Sequence, residues 1–89
     1  MFDWDEANLD HIAQHGIDAE EAEDALLDPR RIPAPVYQGV TEQRRGLLGA
    51  TLDGRVLFVV FTHREELVRV ITARDVDAQE KRRYMRRGK

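Results

Sequence analysis

The sequence predicts a small α+β domain: an antiparallel sheet with two N-terminal helices and one C-terminal helix, in the order β-α-α-β-β-β-α. Three observations point there. Asp53-Gly54 separates two strand-like stretches, Glu42 to Leu52 and Arg55 to His63, as in a β-hairpin. The run Val56-Leu57-Phe58-Val59-Val60-Phe61 is apolar at every position, which suits a central strand covered on both faces. Asp18 with Glu21, and Asp77 with Glu80, stand at the three-residue spacing of a helix capping box.

Taken in order, Phe2-Asp3-Trp4 reads as a short first strand, with Trp4 anchoring the first helix to the sheet. Asp5 to His15 reads as that helix, with Ala7, Leu9, Ile12 and Ala13 as a loose apolar stripe. His15-Gly16 ends it, since glycine accepts the left-handed conformation past a helix C-terminus. Asp18 opens the second helix, whose inner face is Ala19, Ala22 and Leu26, and Asp28-Pro29 stops it. Arg31 to Gln38 is an edge strand or an extended loop, because Pro33 and Pro35 each lack a ladder donor. After the hairpin, Arg64-Glu65-Glu66 turns the chain into Leu67 to Arg74. Simple alternation there places Val68, Val70, Thr72 and Arg74 on one face and Arg69, Ile71 and Ala73 on the other. The last helix runs from Asp77 to about Arg87.

At 89 residues the expectation is one domain over residues 1–89 with a modest core. No cysteine is present, which removes disulfides, thiolate metal sites and a thiol nucleophile. No apolar run approaches a membrane span and the start lacks a signal-peptide pattern, so the expected compartment is the cytoplasm. The net charge of −3 conceals a division: residues 1–29 carry −10 and residues 30–89 carry +7. Such halves suit partners of opposite sign, or each other.

The strongest chemical signal is basic. Arg64 stands in a turn, Arg69 and Arg74 lie on the next strand, and residues 79–89 add six bases against one acid. A guanidinium can hold two phosphate oxygens at once, and Tyr84, beside Lys81 on a helix, could stack on an unpaired base. That is the equipment of a single-stranded RNA site, although a basic C-terminal helix also serves as a solvated face. His63, next to Arg64, could move protons at neutral pH. His11 and His15 have a metal-ligand spacing, but no third ligand is evident and no metal or cofactor is expected. RNA cleavage needs neither, because the 2′-hydroxyl is itself the nucleophile.

The ordered set Phe2-Asp3-Trp4-Asp5-Glu6, His15-Gly16-Ile17, Glu20-Glu21-Ala22, Asp28-Pro29, the strand from Gly46 to Thr51, Gly54 to Thr62, Val70-Ile71-Thr72-Ala73-Arg74 and Glu80-Lys81-Arg82-Arg83-Tyr84 resembles the BrnT toxins of bacterial type II toxin–antitoxin systems. The resemblance runs from Phe2 to Tyr84. It implies a RelE-like fold and a metal-independent endoribonuclease that inhibits translation. It also implies a BrnA-like antitoxin with a ribbon-helix-helix domain, which carries the contact with operator DNA. A homodimer and a toxin–antitoxin heterotetramer both stay open. The positions matching the family's basic site are Arg64 and Arg74, with Thr72, Lys81, Arg83 and Tyr84 as further matches; the residues themselves add Arg69 as an RNA contact and His63 or Lys81 as the proton carrier. Asn8 and Gln14 stand where many members have lysine, and His63 where they have an acid. These departures leave an alternative: a catalytically inactive relative that acts through complex formation with a partner protein.

Overall fold

The computed structural model describes residues 1–36 and 43–86. In chain order these form α1 (Glu6–Ala13), α2 (Ala19–Leu27), β1 (Ile32–Ala34), β2 (Arg45–Ala50), β3 (Val56–Arg64), β4 (Leu67–Asp75) and α3 (Ala78–Arg86). The four strands make one antiparallel sheet in the order β1-β2-β3-β4.

The fold class is as the sequence predicts, but the element order is α-α-β-β-β-β-α. The expected first strand is reduced to an isolated parallel bridge, Phe2 to Val68, held by Asp3 N–H to Val68 and Val68 N–H to Met1. Its place in the count is taken by β1. Prolines do not prevent this pairing because β1 is an edge strand, where one side of the ladder needs no donor. The expectations for residues 37–42 and 87–89 lie outside the described residues.

Local chemistry sets the ends. Asp5 caps α1 through the Asn8 N–H, and the chain leaves α1 through Gly16 at φ +72°. Asp18 and Glu21 close a full capping box on α2, and Asp77 and Glu80 do the same on α3. The β2–β3 connection is longer than a two-residue turn: Thr51 pairs with Arg55 across Leu52-Asp53-Gly54, with Gly54 at φ +87°. The β3–β4 connection is the tighter one. Glu65 and Glu66 occupy its two central positions at φ +51° and +72°, a conformation that favours Asn and Gly.

The sheet is covered on both faces. On one, Ile12, Ile17, Ala22, Ala25 and Leu26 of the α1–α2 layer pack on Leu47, Leu57, Val59, Val70 and Ala73. Gly49 permits this: a Cβ there would sit 2.2 Å from the Ala25 carbonyl oxygen, so any side chain would push α2 off the sheet. On the other face Tyr84 of α3 packs with Leu48 and Val56, flanked by Ile32, Ala34, Ala50, Phe58 and Val76.

One irregularity rearranges the functional face. Val60 pairs with Thr72 but Phe61 pairs with Val70, so Ile71 is an extra residue in β4, a β-bulge. Simple alternation therefore fails across it. Val68, Val70 and Ala73 all face the α1–α2 core; Arg69, Thr72 and Arg74 fall on the other side by register, with Arg69 and Thr72 still meeting Asp5 and His11 of α1 along this edge strand. This corrects the expected division of that strand, which separated Arg69 from Thr72 and Arg74.

Candidate active site

Arg74 is a firmly held cation with part of its donor set open. Its Cα pairs with that of Phe58, and its guanidinium lies over the Phe58 ring, 4.6 Å from the centroid. Glu80 grips one edge of the guanidinium with both carboxylate oxygens, from Nη1 at 2.8 Å and Nη2 at 2.9 Å. Nη1 also donates to the Asp75 carbonyl at 3.0 Å. The same Glu80 carboxylate accepts the Asp77 N–H, so the residue that caps α3 also orients the arginine. The hydrogen bonds from Arg74 hold the Glu80 carboxyl below its usual range. That makes Glu80 a poor base and a good anchor.

This arrangement leaves donors unused. An arginine has five N–H groups in a rigid fork. Glu80 and Asp75 take both on Nη1 and one on Nη2. The Nε–H and the remaining Nη2–H meet no acceptor among the described residues, and the side chain is 40% exposed. These two lie side by side on one edge, a geometry that fits two oxygens of a phosphate.

Thr72 lies two residues back on the same face of β4, about 7 Å away by strand rise. Its Oγ1 is 3.1 Å from Nε2 of His11, which reaches it from α1. His15 stands behind, its ring edge-on to His11 at 5.9 Å between centroids. Neither histidine is joined by a third metal-ligating residue among those described.

The remaining expected site residues scatter. Arg69 donates to Asp5 at 2.6 Å and to Asp3 at 3.4 Å, so it ties the N-terminal segment and the α1 cap to β4. Arg64 ends β3 at the hairpin, exposed, about 20 Å along the sheet from Arg74. It borders a polar groove of about 330 Å³ with Gln43, Thr62, His63 and Arg69. His63, its ring edge-on to Phe61 at 5.9 Å, borders the same groove at the hairpin end. The structure thus brings Thr72 and Arg74 together but does not bring Arg64 or His63 to them.

On α3 the picture is mixed. Lys81 is exposed, one residue past Glu80. Arg83 donates to the Pro33 carbonyl at 3.2 Å and ties α3 to β1. Tyr84 is buried, and its hydroxyl donates to Asp28, whose carboxylate also accepts the Ala50 N–H. Its ring is part of the core and is not presented to a base.

The acidic N-terminal third is largely consumed internally. Asp3 and Asp5 face Arg69, and Glu21 faces Arg55 at 3.0 Å. Glu23 accepts the Trp4 indole N–H, and Asp24 the Leu52 N–H. Trp4 thereby anchors α2 as well as the start of the chain.

Two site residues escaped sequence reasoning. The sequence offers His11 only as a metal ligand by its spacing from His15, and its approach to Thr72 depends on how α1 lies against β4. Glu80 was recognisable as a cap by spacing, but its grip on Arg74 depends on the angle at which α3 leaves β4.

Comparison with known proteins agrees with the sequence pattern. A search of curated proteins finds no match. A family model described as the ribonuclease toxin, BrnT, of type II toxin–antitoxin systems matches residues 4–80. That span takes in α1, α2, the whole sheet and the first turn of α3, with His11, Thr72, Arg74 and Glu80 inside it. The chain belongs to the BrnT family of ribonuclease toxins.

Proposed function

We propose that this chain is the toxin of a type II pair: an endoribonuclease that cleaves RNA through the substrate's own 2′-hydroxyl, inhibits translation, and is neutralised by a ribbon-helix-helix antitoxin. The observation that carries this reading is the free donor edge of Arg74, held rigid by Glu80 and Phe58 beside the Thr72 hydroxyl.

The chemistry follows from charge. When the 2′-oxygen attacks, the phosphorus becomes five-coordinate and its oxygens gain negative charge. Donors fixed in advance at those oxygens bind this state more strongly than the starting phosphodiester, and that difference is the catalysis. The Nε–H and Nη2–H of Arg74 fit two such oxygens. Glu80 and the Phe58 ring hold the guanidinium against reorientation during the reaction. Thr72 supplies a hydroxyl to the same phosphate. Arg64, at the far end of this face, contacts a phosphate several nucleotides along the strand and adds affinity more than rate. The step requires no bound metal, because the nucleophile comes with the substrate.

Induced expression of the chain alone in a bacterial host tests this. Growth arrest with RNA breakdown is expected, and Arg74→Ala abolishes it while leaving the protein folded. Normal growth with intact RNA under wild-type expression would contradict the reading and leave a module that acts only through its protein partner.

A further inference from the structure

We propose that His11 is the general acid of this chain's RNA cleavage, delivering a proton from Nε2 to the departing 5′-oxygen. The inference rests on the ribonuclease reading above. It starts from a different observation: the 3.1 Å approach of His11 Nε2 to Thr72 Oγ1.

Breaking the phosphorus–5′-oxygen bond in neutral water creates an alkoxide, a very poor leaving group unless it is protonated as it leaves. The carrier must therefore stand beside the phosphate and exchange protons near neutral pH, which an imidazole does. Glu80 does not serve. Its carboxyl is held ionised by Arg74 and Asp77 N–H, and has no proton to give. His63 does not serve either, since it lies at the hairpin end, roughly 17 Å along the sheet from Arg74. His11 is exposed, and its Nε2 reaches the hydroxyl two residues from Arg74.

Around His11, α1 presents His15, and β4 presents Arg69 and Arg74, whose charges are matched by Asp3, Asp5 and Glu80. With Nε2 protonated, Nε2–H donates to Thr72 in the free protein and turns to the 5′-oxygen when RNA is bound. The 2′-oxygen attacks phosphorus, its proton passes to water, the phosphorus–5′-oxygen bond breaks, and the 5′-oxygen takes the His11 proton. The products are a 2′,3′-cyclic phosphate and a 5′-hydroxyl.

The test uses the purified full chain, with the cleavage position first mapped on an RNA oligonucleotide. His11→Ala and His11→Gln should each slow cleavage by about 10²–10⁴-fold and remove the alkaline limb of the pH–rate profile. Glutamine retains a hydrogen bond to Thr72 but cannot donate a proton catalytically. The decisive arm places sulfur in the bridging 5′ position of the scissile linkage. A thiolate leaves without protonation, so both variants should then approach the wild-type rate. A loss that persists on the sulfur substrate, rescue by glutamine on the ordinary substrate, or no loss in either variant would each overturn the assignment while leaving the ribonuclease reading standing. A wild-type chain that cleaves no RNA would overturn both.

Discussion

The two ends of the β3–β4 ladder each carry an arginine on the same face of the sheet, and they are built differently. At the hairpin end, Arg64 is exposed next to a turn whose two central residues, Glu65 and Glu66, are both left-handed. At the α3 end, Arg74 is stacked on Phe58 and gripped along one edge by Glu80, with the other edge open. Sequence gives the two arginines equal standing. The structure separates them by preorganisation: a loose cation attracts a polyanion, whereas a fixed one can favour one particular charge distribution on it. The comparison therefore assigns rate to the α3 end and affinity to the hairpin end.

The largest expected effect tests that assignment at its source. Arg74→Ala should reduce the cleavage rate by about 10²–10³-fold, the range seen when one preorganised donor site is removed. Arg74→Lys should lose nearly as much, because an ammonium cannot present two parallel donors or stack on Phe58 in the same way. Single-turnover rates on an RNA oligonucleotide measure both. Full activity in the lysine variant would show that charge, not the fork, is what matters.

A smaller loss, on the order of tenfold, is expected for Glu80→Gln, which weakens the grip without removing the arginine. Were Glu80 instead a competitor for phosphate, the same variant would gain activity. The pair also makes a prediction about acid. Arg74 holds the Glu80 carboxyl down, and Arg69 and Arg55 do the same for Asp5 and Asp75. Each binds a proton less readily in the folded chain than in the unfolded one. Their stabilising contribution is therefore present above the ordinary carboxylate range and lost as pH falls through the lower folded values. Melting temperatures should fall between roughly pH 5 and pH 2, and Arg74→Ala should show a shallower fall.

At the hairpin end the effects move to stability. Replacing Glu65-Glu66 by Asn-Gly should stabilise the fold by roughly 1 kcal/mol, or about 4–8 °C in melting temperature, by relieving two left-handed non-glycine residues. The cleavage rate of bound RNA should be unchanged, since the turn lies far from Arg74. The smallest effect belongs to Arg64→Ala: a loss of a few-fold in RNA affinity, with the slope of log affinity against log salt reduced by about one and the cleavage rate of bound RNA preserved. A large rate loss there would reverse the comparison.

Much of the scaffold is legible from sequence because it is local. The caps at Asp18, Glu21, Asp77 and Glu80, the break at Gly16 and the doubly buried β3 depend on residues within a few positions of one another. The site is less legible because it depends on long-range packing. The bulge at Ile71 has no sequence mark, yet it decides that Arg69 shares a face with Thr72 and Arg74. Tyr84 looks like a stacking platform by composition, but its partner Asp28 lies 56 residues away and draws it into the core. His11 and Thr72 are 61 residues apart, and only the placement of α1 against β4 makes them neighbours.

The most direct measurement follows the side-chain Nε–H resonances of the arginines by NMR while a 2′-deoxy analogue, unable to be cleaved, is titrated into the full chain. The Arg74 Nε–H should shift strongly and become protected from exchange as a phosphate docks on its free edge, while Arg64 shifts less and stays open to exchange. A dominant response at Arg64, with Arg74 unmoved, would contradict the account.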